Sequence, residues 1–290
     1  MIQGDKGKAP LRYLGLVTGM SLVLIVLNAL LGMPIPFRVE FLLGYVGALL
    51  VFVLWHALLT KGLKRSLLMV GLSFIVAFTA EALGVNYGLV FGHYHYTEIL
   101  GVSLFGVPFL AVLAWEPIVY ASFCVSDMLS QRLASALPRR LHWSSSVWMA
   151  AIGALATTAW DMMIDPIAVS QGWWVWNGGG SYVPYVANGV PIQNFIGWLG
   201  VAFVINLIYR MVADGMGQPS LSAALTFYGP LTLYCSLFLT AFGVAITILK
   251  RPEVALIGML AMGPFIVIAL SNLPAYIFNL KHLGSSTTKL

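Results

Sequence analysis

The chain has 290 residues, of which 60% are hydrophobic and only 9% charged, with a formal net charge of +5. Soluble domains carry about a quarter charged residues, so this composition excludes one and leaves an integral membrane protein. The apolar runs are long and nearly continuous, which excludes the alternating pattern of a membrane barrel. The positive balance does not point to nucleic acid, because the basic residues fall at the ends of apolar runs, where topology needs them.

A helix needs about 20 apolar residues to cross hydrocarbon. On that ruler the chain divides into eight spans, at 13–33, 37–60, 66–85, 107–131, 145–165, 192–212, 222–249 and 254–274. The expected fold is an all-α integral membrane protein, a polytopic bundle of about eight transmembrane helices, with seven as the alternative count. Residues 1–12 form an N-terminal segment bearing Lys6, Lys8 and Arg12. The apolar run behind them is too long for a signal peptide and has no clear small-x-small cleavage site. Pro34 and Pro36 punctuate the first turn, Pro138 the fourth connection, and Arg251-Pro252 the last. Residues 281–290 read as a flexible tail, and 1–290 as one membrane-embedded domain. Cys124 and Cys235 lie within apolar spans, without CxxC, zinc or disulfide spacing.

Basic residues test the count. With the N-terminus in the cytoplasm, Lys6, Lys8, Arg12, Lys61, Lys64, Arg65, Arg132, Arg139, Arg140, Arg210, Lys281 and Lys289 fall inside. Only Arg38, Lys250 and Arg251 fall outside, a clear positive-inside bias with both termini cytoplasmic. Residues 86–106 and 166–191 are then external connections. The first holds Phe91-Gly92-His93-Tyr94-His95-Tyr96-Thr97-Glu98. The second holds Trp173-Trp174-Val175-Trp176-Asn177 and Gly178-Gly179-Gly180. No charged residue occurs from Pro166 to Tyr209, so the second connection is expected as a lid or an interfacial loop; a tryptophan belt is its bland reading.

Carboxyls inside a membrane are costly and mark function by default. Glu81 lies near the outer end of the third span, and Asp161 and Asp165 at the outer end of the fifth. Glu116 lies about 14 Å into the fourth span at 1.5 Å per residue. Asp161 and Asp165 are i and i+4 and share a helix face. Crowded carboxyls in a low dielectric disfavour ionisation, which keeps an acid protonated as a donor. Structural alternatives stand beside these readings. Asp165 before Pro166 could satisfy backbone groups at a helix end, and Glu116 before Pro117 could bond a kinked helix. Asp127 reads as a surface pair with Arg132, and His56 as interfacial. Three chemistries remain open on the residues alone: a metal site using His93, His95 and the carboxylates, a proton-coupled carrier, or a cofactor-free acid–base enzyme acting on a membrane-dissolved lipid.

A family likeness runs through Glu81-x-x-Gly84, Gly88, Phe91-Gly92-x-Tyr94-x-Tyr96, Asp161-x-x-x-Asp165-Pro166, Trp173-Trp174-x-Trp176 and Gly189-x-Pro191-x-x-Asn194-Phe195-x-Gly197-Trp198. In order and spacing these resemble the CruF-type carotenoid 1,2-hydratases and their archaeal bisanhydrobacterioruberin hydratase relatives, over about residues 70–275. The resemblance implies water addition across the terminal C1=C2 bond of an acyclic carotenoid, with no redox cofactor and no metal. It implies Glu81, Asp161 and Asp165 as proton donor and water-side base. Tyr94, Tyr96, Glu116, Trp160, Trp173, Trp174, Trp176 and Asn194 would contact substrate or water. His93 and His95 are not motif elements and would stand behind them. The implied partners are a membrane-dissolved carotenoid, water, the bilayer and other carotenoid-biosynthesis enzymes, with a multi-pass location in a prokaryotic plasma membrane. A carotenoid cyclase, a metal-dependent lipid hydrolase and a proton-coupled carrier are the competing readings.

Overall fold

The computed structural model describes residues 39–134, 142–177, 181–183, 189–213, 216 and 223–271, with Arg12, Gly15, Leu16 and Gly19. The expected first span, the Pro34/Pro36 turn, the glycine run 178–180 and both terminal segments lie otherwise outside these residues. Seven helices within them are long and apolar enough to cross a membrane. They are α1 (Val39–Lys61), α2 (Leu63–Tyr87), α3 (Phe109–Ala134), α4 (His142–Ser170), α5 (Ile192–Ala213), α6 (Ala223–Gly243) and α7 (Pro252–Ser271). They correspond to the second through eighth expected spans, in an all-α polytopic membrane protein. A π-helical turn, Val244–Ile248, continues α6.

Composition sets the order of burial. α3 is the innermost of these seven helices, touching each of the other six. Its Ala121, Ser122 and Ser126 are small enough to let neighbouring backbones approach, as membrane packing requires. Branched aliphatic side chains such as Leu67, Ile75, Ile196, Leu260 and Val267 cover the outer faces. Helical hydroxyls are largely satisfied within their own helix: Thr60, Ser66, Thr157, Thr158, Ser170 and Thr247 each donate to the carbonyl four residues earlier.

One expectation at the inner ends is corrected. His56 is buried, not interfacial, with Nδ1 2.6 Å from the Tyr120 hydroxyl and its ring stacked on Phe52. Asp127 pairs with Arg210 of α5 at 2.6 Å; the side chain of Arg132 lies outside the described residues. Arg65, expected only as a topology signal, is buried and donates to the carbonyls of Ala213 and Met216. The first of these is the last carbonyl of α5, and the second lies just beyond the helix end.

The outer ends are joined by short extended segments. α2 stops at Gly88, whose φ of 67° is left-handed and open to glycine; its N–H donates to Gly84 O. The chain then forms β1 (Tyr94–Tyr96), a 3₁₀ turn (Glu98–Leu100), β2 (Ser103–Leu104) and β3 (Val107–Pro108) before α3. β2 and β3 pair with each other, and β1 pairs antiparallel with β4 (Trp174–Trp176), which follows α4. The register sets Tyr94 opposite Trp176, His95 opposite Val175 and Tyr96 opposite Trp174. The two external connections therefore close on each other as one ribbon.

Candidate active site

The ribbon's alternation decides which side chains face inward. Successive strand residues point to opposite faces, so Tyr94 is buried and Tyr96 half-buried while His93 and His95 are exposed. His95 Nδ1 lies 2.8 Å from Asn177 Oδ1, outside the cluster of acids. The two histidines thus share one side, as extended H-x-H spacing predicts, but it is the outer side. Among the described residues no three His, Cys, Asp or Glu side chains gather as a metal-holding group.

Glu81 receives the inward face. Its Oε2 accepts hydrogen bonds from the Tyr94 hydroxyl and, at 2.8 Å, from that of Tyr96. Its Oε1 accepts the Trp115 indole N–H at 2.9 Å. The close approach of Tyr94 depends on Gly84, one turn below Gly88: a Cβ there would lie 2.8 Å from Tyr94 Cε1. Burial, and then the negative charge of Glu81, hold both phenols well above the usual tyrosine range. They act as donors to the carboxyl and not as bases.

Asp161 and Asp165 form a second layer. α4 does not end at Pro166, as the sequence suggested, but runs one further turn to Ser170, so Asp165 sits inside the helix and not at its cap. Pro166 is tolerated because a membrane helix can re-satisfy the carbonyl it frees. The Asn194 side-chain amide donates to both acids, at 2.9 Å to Asp161 Oδ2 and 2.5 Å to Asp165 Oδ2. Trp174 Nε1 donates to Asp165 Oδ1 at 2.7 Å. Asp161 Oδ1 is buried without a hydrogen-bond partner among the described residues. Both aspartates lie close enough to Glu81 to sense its charge.

Beside Glu81 opens a cavity with about 1230 Å³ of empty space, part of it continuous with the surroundings. Its enclosed volume is about 150 Å³, below the roughly 300–1,000 Å³ typical of small-molecule clefts, so it suits only the end of a long ligand. Glu81 is the carboxyl in its lining; Tyr96, Trp115, Trp160, Trp173, Trp174 and Trp198 share the lining with aliphatic residues of α1, α3 and α6. Trp115 and Trp198 stack at 3.7 Å with 11° between planes, and Trp160 lies 6.1 Å from Trp198.

Not every expected residue reaches this cavity. Asp161, Asp165, Asn194 and Tyr94 lie behind its wall, and Trp176 packs on Tyr94 at 4.9 Å. Trp173 and Trp174 line the cavity, and Trp174 and Trp176 stand in β4. Glu116 faces the other way, toward Ser73 of α2, and takes no place in the lining. Its neighbour Trp115, overlooked in the sequence, occupies the site instead. Consecutive helical residues are about 100° apart, so the two cannot serve one face. Trp198 was visible as a motif element but not singled out.

Comparison with known proteins places this arrangement. No solved structure matches the chain. Bisanhydrobacterioruberin hydratase of Haloarcula japonica is 30% identical over 145 residues, which cover 49% of this chain and 44% of that protein. The aligned part is thus under half the length of that relative. The family described as carotenoid biosynthesis protein matches residues 39–264, from the start of α1 into α7. The chain belongs to the carotenoid biosynthesis protein family.

Proposed function

We propose that the protein is a cofactor-independent hydratase that adds water across the terminal C1=C2 double bond of an acyclic carotenoid end group, of the lycopene, γ-carotene or bisanhydrobacterioruberin type. One observation carries the reading: Glu81 opens onto an apolar cavity walled by tryptophans, with three hydrogen-bond donors already trained on it. Such a cavity takes up a hydrocarbon end group and presents it to a single acid.

The chemistry follows from that placement. Glu81 gives its proton to C2, and the π pair of the double bond becomes the new C–H bond. A tertiary cation is left at C1. The Tyr94, Tyr96 and Trp115 donors meet the carboxylate as it forms, so charge develops where it is already solvated. The faces of Trp115, Trp160 and Trp198 attract the cation, an interaction worth about 2 kcal/mol when desolvated. Water adds to C1 through its oxygen lone pair and releases one proton. Asp161 and Asp165, bridged by Asn194, take up that proton and return it to Glu81 between turnovers. Atoms balance as alkene plus water to tertiary alcohol, with no electron acceptor. The Haloarcula japonica relative, named for hydration of a carotenoid, supports the reaction class.

The test is expression in a lycopene-producing host with mass analysis of the pigments. A gain of one water per reacted end, with oxygen from labelled water, is the expected result. An isomer of unchanged mass would mean cyclisation, and oxygen from O₂ an oxygenase. Glu81→Gln and Asp161→Asn should each lower hydration by at least about 100-fold, with the proteins still folded in the membrane. Retained activity in both would overturn the assignment.

A further inference from the structure

We propose that the β2–β3 hairpin is a membrane anchor. Its apolar tip, led by Phe105, lies in the lipid boundary at the outer ends of the helices and not in the water beyond them. The inference goes beyond the hydration reading and does not depend on it. The hairpin belongs to the connection between two spans, one ending at Tyr87 and the next starting at Phe109. Connections of that kind ordinarily run through water and are polar. This one carries no charged residue from Ile99 onward, nor does α3 as far as Trp115. Val102 is 78% exposed and Phe105 69%, and Ile99 and Leu104 are exposed beside them.

The hairpin folds back against the bundle instead of projecting from it. Asn86, in the last turn of α2, donates from its side-chain amide to the Phe105 carbonyl at 3.0 Å and to that of Ala82 at 2.9 Å. Gly106 packs on the same turn, where an added Cβ would lie 3.0 Å from Val85 Cγ1. The tip is therefore level with the end of a membrane-spanning helix, about 6–8 Å along α2 from Glu81 at 1.5 Å per residue. Tyr87 and Phe109, exposed where α2 ends and α3 begins, join it to the lipid-facing surface of the spans. Aromatic side chains favour that boundary.

The turn itself shows a preference for grease. Phe105 and Gly106 have φ of 51° and 78°, both left-handed, as a two-residue hairpin turn requires. Asparagine or aspartate suits the first of these positions, and a bulky side chain is strained there. A phenylalanine stands at the tip in spite of that strain, and it is turned outward. The backbone is fitted for a setting poor in water, where unpaired groups are costly. β2 pairs with β3, Phe109 N–H donates to Val102 O at 3.1 Å, and Asn86 occupies the Phe105 carbonyl. No basic residue stands on the hairpin, so it is drawn to hydrocarbon and not to headgroup charge. His93, His95 and Glu98, earlier in the same connection, are exposed and form its polar half. An anchor at this height fixes how far below the boundary Glu81 is held.

The test places a polarity-sensitive fluorophore on Val102→Cys and, for comparison, on Glu98→Cys, in the full-length protein in phosphatidylcholine nanodiscs. Wild type treated alike gives the background from Cys124 and Cys235, and an unchanged thermal midpoint shows that the labelled proteins are folded. Iodide quenches a label in water; lipid with a nitroxide high on its acyl chain quenches one in the boundary. We expect the nitroxide lipid to quench the label at position 102 at least about threefold more than that at 98, and iodide at least about threefold less. Phe105→Asn keeps the turn, because asparagine suits its φ, and should raise iodide quenching at position 102 by about twofold or more. Equal iodide quenching at the two positions would put the hairpin in water and overturn the anchor. A label at 102 reached by neither quencher would be covered by protein, a second copy or another chain, and would overturn it too. A lipid-quenched label that Phe105→Asn leaves in place would uphold the hairpin as anchor and overturn the leading part given to Phe105.

Discussion

Glu81 and Glu116 are both buried acids on membrane helices, and only their surroundings separate them. Glu81 meets two phenols, an indole and the cavity; Glu116 meets Ser73 and keeps Oε1 without a partner among the described residues. Glu116→Gln should therefore retain hydration within about threefold in the assay where Glu81→Gln loses about 100-fold or more. The phenols give a second check. Burial and the charge of Glu81 raise both above the ordinary tyrosine value, so they keep their protons as pH climbs past about 10. In an ultraviolet titration, wild type and the Tyr94→Phe/Tyr96→Phe protein should give equal tyrosinate absorbance up to about pH 11. An earlier rise in wild type would show that the pair is not held as described. Residue type alone made Glu81, Asp161 and Asp165 conspicuous, because a carboxyl in an apolar run has no ordinary reason to be there. It could not distinguish Trp115 from Glu116, since rotation about a uniformly apolar helix leaves no pattern to mark the inner face.

The helices were legible as elements because hydrocarbon thickness fixes their length. Their ends were less so: Pro166 reads as a stop, yet α4 continues through it. The β1–β4 ribbon was not legible, because three-residue strands carry little pattern and their partners lie far apart in the chain. That ribbon fixes the tyrosines against Glu81, and Gly84 gives them room on the helix side. Gly84→Ala would place a methyl 2.8 Å from the Tyr94 ring. Tyr94 must then withdraw from the carboxyl, and misplacement of about 1 Å can cost 100-fold in rate. We expect at least a tenfold fall in kcat, with the thermal midpoint in detergent lowered far less than in variants that cut the helix packing. An unaltered kcat would show that the phenol contact is dispensable.

Across the whole molecule, the polar groups divide by depth into two sets with different duties. The outer set is the candidate site. The inner set ties helices together: Arg65 secures the end of α5 to α2, and Arg210 joins α5 to α3 through Asp127, Ser126 and the face of Phe123 at 4.2 Å. Arg210→Met should lower stability by about 1–3 kcal/mol, read as a lower unfolding midpoint in detergent, while the KM for carotenoid stays unchanged. Loss of substrate affinity instead would mean that the two sets are coupled. The positive-inside count, which treats both arginines as markers of orientation, had no means to reveal these internal bonds.

The ribbon also dictates an order of events at birth. Tyr94 and Tyr96 leave the ribosome long before Trp174 and Trp176, with α3 and α4 still to be threaded between them. Until that later segment arrives, Glu81 stands in the nascent bundle without its strand-held phenols in register. The surroundings of the proposed proton donor are thus completed only after α1 to α4 are already embedded.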